Sequence, residues 1–335
     1  MSFGLHSAGI QVLGGVDNSE DCETTYEANV PGAKYVRHDI TTLSAAELSR
    51  QLGIRRNDRN LVFSGCSPCQ FWSKIRTDRT KSAQTAYLLG HFQRLIKYFR
   101  PGLVVIENVP GLYRRSDNDI LRDFLGFLRA QRYDIVDGIV NAAHHGVPQN
   151  RLRYVMIASR VGKVTPLLPS HEGDPLTVAD FIGSTNGFAK ISAGHSDPSD
   201  FHHTSANLSA ANARRIAMTP ASGGDRSSWG SDPALQIPAY AGRDKIFKDV
   251  YGRMAWDRPA PTITTRFISL SNGRFGHPDE NRAISVREGA SLQTFPKEYR
   301  FHSVSMAGLA RQIGNAVPPA LARSIGNHLI TVRNG

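Results

Sequence analysis

The sequence predicts an α/β fold, with a doubly wound and mostly parallel sheet, joined to a second, smaller and irregular domain. Helix and strand patterns alternate over residues 1–160, as they do in βαβ units. Residues 101–106 form a continuous apolar run, which is typical of a parallel strand that is covered on both faces. From residue 162 to about residue 271 the composition shifts toward Gly, Ser, Pro, Asn and His, and few long apolar runs remain. A chain of 335 residues is long enough for two domains with cores of their own.

The elements of the first domain follow from short apolar runs, taken as strands, and longer amphipathic runs, taken as helices. In chain order they are a strand over 11–16, a helix over 19–29, a strand over 61–65, a helix over 85–100, a strand over 101–106, a helix over 119–132, and strands over 133–140 and 154–158. Near the end, Ser285 and Glu288 have the spacing of a capping box, which predicts a helix through Leu292. The helix that follows Pro318 has an apolar face and is expected to pack onto the first domain. The expected domains are residues 1–160, residues 161–271, and residues 272–335 as a return segment that completes the first domain.

Two polar residues follow apolar strands at their carboxyl ends, where open α/β sheets bind their ligands. Cys69 lies on a Gly/Ser/Pro-rich turn after the strand that breaks at Gly65, and Glu107 ends the strand over 101–106. The plain alternatives are a cysteine that acts as a small buried hydrophobe and a glutamate that is merely a charge at a strand end.

Two further motifs follow along the chain. Arg151 and Arg153 alternate before the strand over 154–158, so both side chains point to one face. Gly314 and Asn315 stop one helix, and prolines 318 and 319 begin the next. Taken singly, the arginines could form a solvated edge and Gly314-Asn315 a helix C-cap. The four motifs in this order indicate an active site.

At this point the sequence resembles the cytosine-C5 DNA methyltransferases. The matching motifs span nearly the whole chain in the family's order: Val16-Asp17-Asn18, His38-Asp39-Ile40, Pro68-Cys69-Gln70, Glu107-Asn108-Val109, Gln149 to Arg153, Arg287 to Pro296, and Gly314 to Val317. The resemblance implies a Rossmann-like methyltransferase domain, and a target-recognition domain that reads bases in the major groove.

The resemblance implies catalysis by Cys69, Glu107, Arg151 and Arg153. Carbon 5 of cytosine is a poor nucleophile, and addition of the Cys69 thiolate to carbon 6 makes the ring electron-rich. Glu107 would donate to ring nitrogen 3, and the two arginines would hold the base's carbonyl and brace Glu107. Methyl transfer to carbon 5, loss of the carbon-5 proton and elimination of Cys69 would complete the cycle.

The resemblance also implies S-adenosyl-L-methionine as the cofactor. Asp17 would bind the ribose, Asp39 and Ile40 would line the adenine pocket with Leu88, and Pro68 would lie beside the sulfonium. Leu88 has an equally plain interpretation as helix core. Asn315, Ala316 and Val317 would approach the methionine end. The expected substrate contacts are Gln70, Asn108, Gln149 and Thr264, the last of these to backbone phosphate.

Double-stranded DNA is the expected partner, with a cognate restriction endonuclease as a further one. The 40 Lys and Arg residues exceed the 29 Asp and Glu residues, and the resulting net charge of +11 favours phosphate contact. A duplex hides its cytosines, so the target base would be flipped out of the stack. No secretory or transmembrane stretch and no metal-ligand spacing is visible, and the three cysteines do not suggest a disulfide framework. We expect a cytoplasmic protein that acts as a monomer on DNA.

One element of the family's cofactor-binding unit is not found in the sequence. The strand over 11–16 corresponds to the second strand of that unit, and Met1 to Leu5 resembles the helix before it, but the first strand and its Phe-x-Gly-x-Gly loop are absent. That strand is central, so its absence would leave backbone groups unpaired. A start assigned too far downstream, a split enzyme and a degenerate enzyme are three explanations, and the intact remaining chemistry favours the first.

Two rival functions remain at this point. A Cys/His hydrolase would use Cys69 with His144 or His145, but it leaves Glu107 and the paired arginines without a role. An impaired or split form would bind DNA and need a missing N-terminal element for methyl transfer.

Overall fold

The computed structural model describes residues 1–66, 80–114, 119–230, 232–240 and 249–334; for 80–86, 114, 119 and 239 only the backbone is described. By its internal contacts the chain divides into two compact units. Unit 1 consists of Met1–His145, Leu152–Ser170 and Pro319–Gly335, and unit 2 consists of Gly146–Arg151 and His171–Pro318. Each unit is described below by itself.

Unit 1 alternates helices and strands. Its strands are β1 (Gly14–Asp17), β2 (Lys34–Arg37), β3 (Val62–Gly65), β4 (Leu103–Asn108), β5 (Asp134–Asn141) and β6 (Leu152–Ser159). Its helices are α1 (Ser2–Ser7), α2 (Glu23–Asn29), α3 (Ala45–Leu52), α4 (Thr80–Phe99), α5 (Gly111–Arg114), α6 (Asp119–Ala130) and α10 (Pro319–Asn334). The expected α/β fold is confirmed.

The strands of unit 1 form two sheets among the described residues. One sheet pairs β1 with β2 in parallel. The other has the order β3-β4-β6-β5, in which β3 and β4 are parallel and β6 runs antiparallel to both of its neighbours. All six residues of β4 are buried, which agrees with its continuous apolar sequence. Helices α4 and α6 cover one face of this sheet through a core that contains Ile96, Phe124, Ile106 and Met156.

A cavity of about 880 Å³ lies within unit 1 and is lined by residues of both sheets. Its walls include β1, β3, the turn after β2, and parts of α1, α4 and α10. Strands β1 and β3 each have one edge without a hydrogen-bonded strand among the described residues. Strand residues from both sheets thus line one cavity.

Unit 2 is mostly irregular. Its helices in the described part are α7 (Ala210–Met218), α8 (Val286–Leu292) and α9 (Met306–Asn315). The capping box predicted for α8 is confirmed, because Ser285 accepts a hydrogen bond from the Glu288 amide and the Glu288 side chain accepts one from the Ser285 amide. A core around Ile216, Trp229 and Tyr251 holds the loops before α8.

Several arginines of unit 2 are buried. Arg282 and Glu288 are fully buried and joined by hydrogen bonds of 2.7 and 2.9 Å. Arg253 and Arg287 instead donate mainly to backbone carbonyl groups. Burial lowers the pKa of Arg287 to about 10, so it stays protonated at neutral pH. Hydrogen bonds to carbonyl oxygens thus replace water around these cations.

Most predicted elements are found within a few residues of their expected bounds, and three differences stand out. Strand β2 and helix α3 were not predicted. Residues 261–265, which resemble the family's return strand, form no strand, and an isolated bridge joins the preceding residue, Ala260, to Gln149. Residues 272–318 group with unit 2 by contacts, because α8 bonds to the loops before it through Val286 to Thr204. The three expected domains, residues 1–160, 161–271 and 272–335, stay a prediction about which parts of the chain share a function. Among the described residues, no helix is long and apolar enough to cross a membrane.

His145 makes the stability of the protein depend on pH. It is 4% exposed, its Nδ1 lies 2.9 Å from Ser324 Oγ, and burial, with a smaller effect from the charge of His144, lowers its pKa from 6.5 to about 4. Between these pH values the unfolded chain binds a proton that the folded chain does not, so stability decreases as pH falls. We expect a contribution of up to about 1.4 kcal/mol per pH unit in this window, and its loss in His145→Gln.

Urea denaturation across the window measures this slope. His144→Gln is the matched control, because His144 is exposed and should leave the slope nearly unchanged. Equal slopes for His145→Gln and the unaltered protein would contradict the prediction.

Candidate active site

Three of the expected site residues, Pro68, Cys69 and Gln70, lie outside the described residues. The described chain reaches them through Gly65 and Cys66 at the end of β3, and both of these line the cavity of unit 1. Cys66 is exposed.

Apart from Pro68, the expected cofactor residues of unit 1 line this cavity: Asp17, Asp39, Ile40 and Leu88. Asp17 is the last residue of β1, and Asp39 and Ile40 follow β2 by two and three residues. Parallel strands end at the same edge of a sheet, which is why two carboxylates from different strands lie on one cavity. Leu88, which could have been helix core, is only partly buried.

The two aspartates are held by the turns that follow their strands. Asp17 Oδ1 accepts a hydrogen bond of 2.8 Å from the Ser19 amide, and Asp39 Oδ1 accepts one of 2.8 Å from the Thr41 amide. The hydrogen bond from the Thr41 amide lowers the pKa of Asp39, with smaller effects from His91 and His38. Asp39 is therefore an ionised hydrogen-bond acceptor at neutral pH.

Glu107 and Arg153 form an ion pair at the end of β4. Glu107 pairs with Val155 across the antiparallel β4–β6 ladder, and Arg153 lies two residues from Val155, so both side chains are on the same face of the sheet. Arg153 Nε lies 3.0 Å from Glu107 Oε1, and the two side chains are only 10% and 9% exposed. Asn108, the next residue, is buried, and its Oδ1 accepts a hydrogen bond of 2.8 Å from the Val109 amide.

Arg151 and Gln149 are buried within unit 2. Arg151 donates to the carbonyl oxygens of Ile263, Gly314 and Ala316 at 2.9, 3.2 and 3.0 Å. Gln149 is 0% exposed, and its Oε1 accepts from the Ile263 amide at 2.9 Å. A direct contact of either side chain with a substrate would require such bonds to break. We therefore interpret both as positioning residues, in place of the direct catalytic and substrate-binding roles expected from the sequence.

These bonds join two of the expected motifs. Residues 313–317 and residues 263–265 both attach to Arg151, and a Cβ on Gly314 would lie 2.4 Å from the carbonyl carbon of Thr264. Thr264 and Asn315 are exposed, Ala316 is half-buried and Val317 is buried. Thr264 and Asn315 are thus exposed on two adjoining segments of unit 2, and Arg151 holds these segments together.

Gln293, for which no role was predicted, helps to hold residues 313–317 in place. Its Nε2 donates to the Ile313 carbonyl oxygen at 2.7 Å, and its Oε1 accepts from Gln149 Nε2 at 3.0 Å. Gln293 belongs to a motif that the resemblance included, but only its burial and its partners reveal its role. Among the described residues, no group of three or more His, Cys, Asp or Glu side chains could hold a metal ion.

Comparisons with known proteins agree on one family. The profile of the C-5 cytosine-specific DNA methylase family matches residues 1–331. The Type II methylase M.HgiDII of Herpetosiphon aurantiacus is 34% identical over 333 residues, covering 98% of this chain and 91% of that protein. The Type II methyltransferase M1.HphI of Haemophilus parahaemolyticus is 31% identical over 334 residues, covering 98% and 83%.

Solved structures share the fold. A putative DNA modification methyltransferase encoded within an E. coli prophage superimposes with a TM-score of 0.74 at 23% identity, covering 100% of this chain and 96% of that chain. The S. pombe Dnmt2 methyltransferase gives a TM-score of 0.60 at 15% identity, covering 99% and 93%.

The Glu107–Arg153 pair predicts strong coupling between two substitutions. Arg153→Met leaves the Glu107 carboxylate buried without its cation, and breaking a buried pair in this way costs about 3–5 kcal/mol. We expect the double variant Glu107→Gln, Arg153→Met to recover most of this loss. Urea denaturation of the four proteins gives the coupling energy, and additive effects of the single changes would refute a structural ion pair.

Gly314→Ala is expected to destabilise unit 2. The new methyl group would overlap the Thr264 carbonyl group, and such overpacking costs about 1–3 kcal/mol. Gly126→Ala, in α6, is the matched control, because nothing lies within 4 Å of its Cβ position and alanine favours a helix by about 0.5–1 kcal/mol. Thermal unfolding compares the two, and a Gly314→Ala protein as stable as the control would argue against the close packing.

Proposed function

The chain belongs to the C-5 cytosine-specific DNA methylase family and is a DNA (cytosine-5)-methyltransferase, and we propose that it acts through a covalent adduct between Cys69 and a flipped-out cytosine. The observation that carries the finer proposal is the buried Glu107–Arg153 pair at the carboxyl end of β4. The pair holds the Glu107 carboxyl group in place beside the cytosine ring, which the Cys69 thiolate would attack.

The chemistry begins with the Cys69 thiolate, which bonds to carbon 6 of the cytosine. The electron pair of the 5,6 double bond then becomes available at carbon 5. Negative charge also develops toward ring nitrogen 3, and Glu107 donates a hydrogen bond there. Arg153 contacts Glu107 Oε1, so we assign Oε2 to the base. The methyl group bonds to carbon 5, and S-adenosylhomocysteine is released. A base or a solvent molecule then takes the carbon-5 proton, the electron pair of that C–H bond re-forms the 5,6 double bond, and the carbon–sulfur bond breaks to return the Cys69 thiolate.

S-adenosyl-L-methionine, which supplies the methyl group when bound, fits the chemistry of the unit 1 cavity. The cavity is within the size range of sites for small molecules and cofactors. Asp17 would accept hydrogen bonds from the ribose hydroxyl groups and Asp39 from the adenine amino group. Ile40 and Leu88 provide apolar surface for the adenine ring. Ser64, also on the cavity wall, has a buried hydroxyl group without a hydrogen-bond partner among the described residues.

We propose that the remaining motif residues either hold chain segments in place or contact the cofactor or the DNA. Arg151 and Gln149 hold the segment that carries Asn315, Ala316 and Val317, and these three keep the cofactor-binding role that the family motifs imply. Thr264, exposed on the same segment, contacts a DNA phosphate. Asn108, Pro68 and Gln70 keep the roles that the family motifs imply.

Double-stranded DNA is the substrate, and we propose that residues 161–271 contain the part that reads its sequence. The net charge of +11 favours phosphate binding, and flipping a base costs roughly a few kcal/mol, which contacts with flanking DNA must offset. The relatives M.HgiDII and M1.HphI carry Type II names, so we propose a cognate restriction endonuclease as a biological partner. Action as a monomer on DNA completes the proposal.

Duplex DNA in which 5-fluorocytosine replaces every cytosine tests the covalent step without knowledge of the recognition site. Fluorine at carbon 5 blocks elimination, so the protein and cofactor should leave a DNA adduct that survives denaturing electrophoresis. Cys69→Ser should abolish the adduct. Cys66→Ser is the matched control, because it removes a thiol only three residues away. Cys66 lines the cofactor cavity, so the change can alter cofactor affinity, but the adduct should still form at saturating cofactor. An adduct that requires Cys66, or methyl transfer that survives in Cys69→Ser, would overturn the assignment of the nucleophile.

In the described part of the chain, β1 and β3 each have one edge without a strand partner, and this favours a second candidate, a chain that binds DNA but needs a further polypeptide element for methyl transfer. Transfer of radiolabelled methyl groups to DNA by the purified protein alone separates the two candidates. Incorporation favours the first, whereas DNA binding without incorporation favours the second.

A further inference from the structure

The turn that follows β2 has one side on the cavity and the other side fixed to the protein. Asp39 and Ile40 line the cavity, and Leu43, at the end of the turn, is 0% exposed. Within the turn, the amides of Thr42 and Leu43 donate to the Asp39 carbonyl oxygen at 3.1 and 3.0 Å. These bonds fix the local shape of the turn. They do not fix where the turn lies relative to the rest of the cavity.

Arg94 adds a polar link between this turn and α4, beside the apolar cluster that Leu43 shares with Leu95 and Phe99. It is on α4, more than fifty residues along the chain, and its Nη2 donates to the Leu43 carbonyl oxygen at 2.8 Å and to the Ile40 carbonyl oxygen at 3.2 Å. One guanidinium nitrogen therefore bridges both ends of the segment 40–43. The helix beneath it is firmly held, since its neighbours Leu95 and Ile96 are 3% and 1% exposed.

We propose that Arg94 is a positioning residue for S-adenosyl-L-methionine, which holds the turn over residues 39–43 so that Asp39 and Ile40 face the adenine ring. The proposal rests on the proposed function, which places adenine at these two residues. Arg94 does not line the cavity, so it acts on cofactor affinity through the turn and leaves the methyl-transfer step unchanged. Because Arg94 is itself exposed, its removal should also leave the fold intact.

The side-chain chemistry makes the assignment specific. A guanidinium group has several N–H donors in one plane and can satisfy two carbonyl oxygens at once. Lysine at this position would keep the charge and some donor capacity, but its compact ammonium group on a different stem would not reproduce both bonds. We therefore expect an ordered loss of affinity from arginine to lysine to alanine.

The test compares Arg94→Ala and Arg94→Lys with Arg56→Ala as the matched control. Arg56 is likewise exposed and likewise ties a loop to α4, through a 3.1 Å hydrogen bond from Nε to the Tyr98 carbonyl oxygen. Unlike the turn that Arg94 holds, the residues on either side of Arg56 in the sequence do not line the cavity. Calorimetry gives the dissociation constants of S-adenosyl-L-methionine, S-adenosylhomocysteine and adenosine. Steady-state kinetics gives kcat and the KM for cofactor and DNA.

We expect Arg94→Ala to weaken all three ligands about tenfold and Arg94→Lys about threefold, as the loss of one or two exposed hydrogen bonds implies. Adenosine should be affected as much as the full cofactor, because the turn meets the part that they share. The kcat, the KM for DNA and the melting temperature without ligand should stay close to those of the unaltered protein. Arg56→Ala should change none of these values.

Three outcomes would overturn the proposal: unchanged ligand affinity in Arg94→Ala, an equal loss in Arg56→Ala, or a loss of affinity accompanied by a lower melting temperature and weaker DNA binding. Failure of the proposed function has a different signature. In that case the unaltered protein would neither bind the cofactor nor transfer methyl groups, and the inference about Arg94 would fail with it.

Discussion

The geometry of parallel strands is the constraint on which the candidate site depends. Strands that run in the same direction deliver the residues after their carboxyl ends to one edge, and ligands of open α/β sheets bind there. In unit 1, Asp17 ends β1, Asp39 follows β2, Cys66 follows β3 and Glu107 lies near the end of β4. In each of the two sheets, residues that are far apart in sequence thus belong to one edge. Chemistry can then be assigned to single positions at strand ends while the apolar strand bodies serve only the fold.

Arg153 and Arg151 are stabilised in different ways, and the difference matches their proposed roles. Glu107 has a cation, Arg153, at one oxygen, which fixes the orientation of a carboxyl group that is meant to meet a substrate. Arg151 donates to backbone carbonyl groups, which orders the chain segments that it touches. Two arginines that alternate in sequence therefore perform different tasks. Arg153 supports a reactive group and Arg151 supports the shape of a binding segment.

Much of the fold and part of the site follow from the sequence, for reasons that particular residues make clear. Strand β4 is a long apolar run, and the Ser285–Glu288 spacing marks the start of α8. Strand β2 was not predicted, because it has only four residues, with Lys34 and Arg37 at its ends, and so shows almost no hydrophobic periodicity. The resemblance implied that the two arginines brace Glu107, and Arg153 forms an ion pair with it. The burial of Gln149 was not expected, since its motif suggests substrate contact while its partners, Ile263 and Gln293, are distant in sequence. Arg94 carries no sequence signal, because a bond to a backbone carbonyl group requires no particular residue at the acceptor position.

The buried arginines of unit 2 imply that its architecture and its affinity for nucleic acid respond differently to electrolyte. Arg253 and Arg287 bond to carbonyl oxygens in places that mobile ions do not reach, so added salt screens these bonds weakly. Phosphate contacts on the surface, in contrast, release condensed counterions and weaken steeply as salt rises. Concentrated sodium chloride should therefore release the protein from bound polynucleotide during purification, while the loops of unit 2 keep their native arrangement.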